Sequence, residues 1–221
     1  MLDKHLIEGE NWVVDMMIKD LGTGVANVWE GLRPITKKML VGVLQSPTAS
    51  ASNSPTAKFS YDAHADWELS RLLTALDAQS KSFETAPNPE KLGEIRQLAE
   101  TCVRVLEAQS GSAEVFIQLA ERAIAKHDYN KLDKLADSLM ERFSAAEIAE
   151  IVRQTDAPQI RAIAYETLAL LPVGTLTPLL DDSLYADIVA NALEQKAFEY
   201  DSEEAREILD QFDSENEITG D

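Results

Sequence analysis

Three side chains that could hold a metal ion stand at alternate positions in "YDAHADWE", residues 61–68: Asp62, His64 and Asp66. On an extended strand that spacing would put all three on one side, an arrangement suited to zinc or manganese. On a helix they fan around by about 100° per residue and do not converge. Asp62 is also a natural N-cap for a helix running on to Leu76, so the expectation here is a capped helix and no metal ligand set. Cys102 falls on an apolar helical face, and none of His5, His64 and His127 is near it in sequence. A buried structural cysteine fits better than a nucleophile, which needs an electropositive and partly exposed setting. His127 lies beside Asp128 in a turn between helices, where a capping or solvent-exposed role suffices. The glycines form no phosphate-cradling pattern, and neither G-x-S-x-G nor H-E-x-x-H occurs. The sequence therefore assigns no catalytic residue, no metal ligand and no cofactor, and an enzyme is the minority reading.

The other candidates are apolar. Within the first 45 residues, Trp12, Met16, Met17, Trp29, Leu40 and Leu44 are large side chains set apart from the rest of the chain by "QSPTASASNSPTAKFS" (residues 45–60), which is uncharged until Lys58 and holds two prolines. Met and Trp are favoured at adaptable and energetically dominant contacts, so these six are the candidate partner-binding residues. Docking to another protein or subunit ranks first, folding back onto the body second, and peripheral contact with a membrane surface third.

The elements that must position these residues read as helices. Aromatic residues are only 6% of the chain while the straight-chain helix formers are abundant, which points to an all-α fold. No run approaches the roughly 20 apolar residues of a membrane-spanning helix. A single cysteine and the lack of a secretory-type opening suit a cytoplasmic, reducing compartment. The net charge of −19 is uneven: residues 1–45 hold five basic and six acidic residues, and residues 46–221 hold 15 and 33. That field disfavours nucleic acid and favours basic partners or plain solubility.

Punctuation divides the chain into an N-terminal apolar helical arm (1–45), a Ser/Thr/Pro/Ala linker (46–60), a body of helical hairpins (61–200) and an acidic C-terminal capping helix and tail (201–221). Asn88 and Pro89 open a helix whose face is Leu92, Ile95, Leu98, Cys102, Val105 and Leu106, and Gly111 closes the pattern. Capping boxes are expected at Ser144/Glu147, Asp156/Gln159 and Asp201/Glu204. Breaks fall near 86–89, 110–112, 127–129, 143–144, 155–157, 172–174, 181–183 and 200–202. Gly22 is suited to ending the first helix.

Between residues 155–172 and 182–200 the sequence echoes itself at a separation of 28: Ile160 with Ile188, Ala162 with Ala190, Ala164 with Ala192. "AEIAEIVRQTDAPQIRAIAYETLALL", with its acid and proline, Ile160 followed by Arg161, then Ala164 and Leu168, resembles a HEAT-type helical repeat over about residues 145–198. "FIQLAERAIAKHDYNKLDKLADSLMERF" before it looks like a tetratricopeptide-type hairpin with "HDYNKL" at the turn. These resemblances imply stacked antiparallel helical hairpins, a short α-solenoid-like array, with an irregular bundle as the alternative. The function expected is a non-catalytic adaptor, scaffold or assembly protein that binds a protein partner, or itself, through the arm and a face of the stack. The alternatives are a structural subunit of a larger assembly, and a small helical ligand-binding protein or enzyme without a recognisable motif.

Overall fold

A computed structural model of the protein describes residues 14–45, 61–85 and 88–219. All regular structure among the described residues is helical, with no strand. The helices are α1 (residues 14–19), α2 (Thr23–Gly31), α3 (Pro34–Gln45), α4 (Ala63–Thr85), α5 (Pro89–Gln109), α6 (Ala113–Ala125), α7 (Tyr129–Arg142), α8 (Ala145–Gln154), α9 (Pro158–Leu170), α10 (Val173–Leu176), α11 (Ala186–Glu199) and α12 (Glu203–Thr219). A 3-10 turn, Thr177–Leu179, follows α10. The fold is all-α. No single described helix is long and apolar enough to cross a membrane.

The chain divides into two compact units, Met1–Ser110 and Gly111–Asp221. This differs from the division expected at residues 46–60, a stretch that itself lies outside the described residues. In the first unit, α4 and α5 lie along one another, α2 packs on α4, and α3 packs on both α5 and α4. The helices expected as a separate arm therefore share a core with α4 and α5. The reason is area: Trp29, Leu40 and Ile18 on one side and Leu69, Leu73 and Leu98 on the other are all buried, and joining them removes more apolar surface from water than either set could cover alone.

In the second unit, α6 and α7 form a hairpin, as do α8 and α9. α6 also packs on α8, α7 on α9, α11 on α9 and α8, and α12 on α11. Ala164 and Ala192, paired in the sequence echo, are both fully buried, one on each of the packed helices α9 and α11.

The helix starts show which local signals hold. Asn88 accepts the Lys91 N–H at 3.2 Å ahead of Pro89, and Ser144 accepts the Glu147 N–H at 3.2 Å. Glu147 departs from the expected box, because its Oε2 accepts the Ala113 N–H of α6 at 2.8 Å and so caps a neighbouring helix. The box at Asp156/Gln159 does not form: Ala157 occupies the cap position without a side-chain bond, and its own N–H goes to Thr155 Oγ1 at 3.2 Å. At α12 the cap is Ser202, which accepts the Ala205 N–H at 3.3 Å, not Asp201. Asp201 instead takes the left-handed conformation, φ 53°, that ends α11.

Gly22 follows α1 with φ 137°, a backbone state that L side chains rarely adopt, and a Cβ there would meet the Gln79 side chain at 2.6 Å. The α6–α7 turn is closed by a Schellman pair, with His127 N–H on Ile124 O at 3.0 Å and Asp128 N–H on Ala123 O at 2.9 Å. His127, at φ 56°, fills the position that glycine usually takes.

Candidate functional site

The short turn between α2 and α3 brings Arg33 against the start of α4. Its backbone N–H donates to Glu68 Oε1 at 2.6 Å and its Nε to Glu68 Oε2 at 3.1 Å. Nη1 and Nη2 donate to the two oxygens of Asp62 at 2.9 and 2.7 Å. Thr36 Oγ1 donates to Glu68 Oε2. The Glu68 side chain is only 1% exposed. Burial pushes its carboxyl up, but the bonds from Thr36 and from the Arg33 backbone and side chain overcome that and hold it below the usual range. Asp62 is held far below the usual range, chiefly by Arg33 and then by the Ala65 N–H, which it also caps at 2.9 Å. Arg33 in turn holds its proton more tightly, first through Asp62 and then through Glu68.

These groups are committed to one another, so the cluster acts as a clamp between the α2–α3 turn and α4. The three residues of the alternate-position pattern are drawn apart. Asp62 serves Arg33 and the helix cap, Asp66 accepts from the Tyr61 hydroxyl, and His64 lies edge-on to Trp67 with ring centroids 5.5 Å apart. Among the described residues, no group of three or more His, Cys, Asp or Glu gathers to hold a metal ion.

The apolar candidates part company too. Trp29 is 1% exposed, and its indole N–H donates to Asp15 Oδ1 at 2.6 Å. Lys19 joins Asp15 Oδ2 at 3.0 Å and Glu30 Oε1 at 3.4 Å above it. Leu40 is fully buried, Met17 and Leu44 are half-buried, and Met16 is exposed. Trp12 lies outside the described residues. Trp29 and Leu40 are thus interior groups of the first unit and present no face to a partner. Cys102 is a buried thiol on α5.

A second polar knot ties α8 to the turn before α11. Arg153 Nε donates to Glu150 Oε2 at 2.6 Å, Gln154 Nε2 donates to Oε1, and the Tyr185 hydroxyl donates to Oε2 at 3.2 Å. Arg153 above all draws the Glu150 carboxyl down to about 2, against the opposing effect of burial. Burial and then the Glu150 carboxylate raise the Tyr185 phenol. This too is a structural tie.

Besides Met16, large apolar groups are left at the surface at positions outside the six candidates. In the first unit, Trp67 is 51% exposed, with the Arg71 guanidinium 4.5 Å from its ring centroid. In the second, Leu184 is 60% exposed and Phe198 is 84% exposed. The available signal for Phe198 was its helical position, since it shares a stripe with Asp187, Asn191 and Glu194, opposite the buried Val189, Ala192, Leu193 and Ala197. Comparison of the chain with protein-family models, with curated proteins and with solved structures finds no match.

Proposed function

We propose that the protein is a non-catalytic adaptor or scaffold that binds a protein partner through the surfaces of its helices. The observation that carries this reading is Phe198, an aromatic side chain almost wholly in water on a helix whose opposite face is fully buried. Solvent positions of helices are ordinarily polar, and large exposed aromatic groups are the type that dominates binding energy when a partner covers them. The packing of α6 on α8, α7 on α9 and α9 on α11 supports reading the second unit as a short HEAT-like array, whose stacked helices offer long faces. The tight internal pairing of Arg33, Asp62 and Glu68, and of Glu150 with Arg153, supports a structural rather than a reactive role for the strongest polar clusters. The burial of Trp29 and Leu40 favours exposed helix faces over those two residues as the binding surface, while Met16 of the apolar arm stays exposed.

Affinity capture from native lysate with the full chain, washed at low and high salt, tests this reading. A specific protein retained through both washes is the expected result. Capture of nothing specific, with the chain a monomer in light scattering, removes it.

A further inference from the structure

The second unit carries a helix face of defined chemistry. Along α11 the buried stripe meets α9, α8 and α12, and the opposite stripe runs through Asp187, Asn191, Glu194 and Phe198, with Leu184 in the turn just before it. From Ala186, the first residue of α11, to Phe198 is twelve residues, roughly 18 Å at the helical rise, and Leu184 lies two residues before that start. Between these two apolar ends the face is acidic. The single lysine of α11, Lys196, turns away from it and donates to Ala169 O at 2.9 Å. The single arginine of α12, Arg206, donates to Ala197 O at 2.8 Å and pairs with Asp201. Both cations are spent on closing helix ends, so Asp187 and Glu194 set the sign of the face. Asn191 bonds within its own helix, to Asp187 O at 2.7 Å.

We infer that this face of α11 receives a basic amphipathic helix of a partner protein, with an apolar residue against Leu184, another against Phe198, and Lys or Arg between them against Asp187 and Glu194. The inference rests on the adaptor reading and gives it a surface and a partner chemistry. A second copy of the chain is a poor occupant because each carries a net charge of −19 and the copies repel. An anionic membrane or a nucleic acid is repelled by the same carboxylates. A helix suits the two anchors, because its own apolar positions recur on one face over that length.

The test uses the full chain and a synthetic Lys-rich amphipathic helical peptide with leucines fourteen residues apart, with binding followed by fluorescence anisotropy. Phe198→Ser and Glu194→Lys are each expected to weaken binding about tenfold or more, while Met140→Ser, on another exposed site of the same unit, leaves it unchanged. Unchanged circular-dichroism melting shows that the variants fold, as the exposure of both positions requires. Equal binding by wild type and both variants overturns the inference. So does a doubled mass in light scattering that Phe198→Ser abolishes, which would make a second copy the occupant. Lysate capture run in parallel separates the two levels. A partner retained equally by wild type and both variants leaves the adaptor reading standing and removes the α11 face, whereas no partner on wild type removes both.

Discussion

Glu68 is a carboxylate taken almost wholly out of water, and its ionised state depends on the neighbours that aim donors at it. Removing the guanidinium by Arg33→Met leaves that buried charge with the Thr36 hydroxyl and the backbone N–H but without its guanidinium partner, which costs more than losing an exposed ion pair. The expected outcome is a clear fall in melting temperature, with part of it recovered in Arg33→Met/Glu68→Gln, because a neutral amide needs no counter-charge. Equal stability of the single and double variants would show that the clamp is not electrostatic. His127 makes a second case at this scale. Its left-handed backbone is forced by the Schellman closure of α6, and a side chain with a Cβ is strained there. His127→Gly is expected to stabilise the second unit by about 1 kcal/mol, read by urea unfolding.

Among elements, α9 and α11 pack on one another, and each carries a fully buried alanine, Ala164 on α9 and Ala192 on α11. Ala164→Leu forces extra methyl groups into a filled contact and is expected to destabilise by about 1–3 kcal/mol. A neutral or stabilising result would mean that the contact is loosely packed. The tie from α8 to the turn before α11 predicts a pH dependence. Because Glu150 titrates lower in the folded chain than its ordinary value of 4.5, it contributes stability that is present above that value and lost as pH falls toward about 2. Glu150→Gln is therefore expected to flatten the loss of stability across that window, measured by acid titration of the helical signal. The start signals of these helices were legible where a side chain had a single local task, as at Asn88 and Ser144. They misled where a neighbouring group competed. At α9 the cap position expected for Asp156 falls to Ala157, Ser202 takes the role of Asp201, and Glu147 reaches across to another helix. Such competition is tertiary, and no local window contains it.

Over the whole molecule, helix content and nearly every break were readable from periodicity and caps, because both are local. The sharing of one core by α2, α3, α4 and α5 was not. Trp29 and Leu40 look alike in sequence whether they meet a partner or Leu69 and Leu73, and only the fold decides between those surfaces. For Phe198 the pattern was present, since its helical stripe is otherwise polar, but the sign of an exposed position depends on which face α9 and α12 cover. Each unit has its own set of fully buried side chains, so residues 111–221 expressed alone are expected to unfold cooperatively in urea, and a featureless, non-cooperative melt would contradict that. The burial of Trp29 has one more consequence. The two described tryptophans, Trp29 and Trp67, belong to the first unit, and residues 111–221 contain no tryptophan, only tyrosine and phenylalanine. Excitation at the red edge of indole absorption therefore makes the native chain a half-labelled molecule, whose emission reports the melting of one unit while far-ultraviolet dichroism reports both.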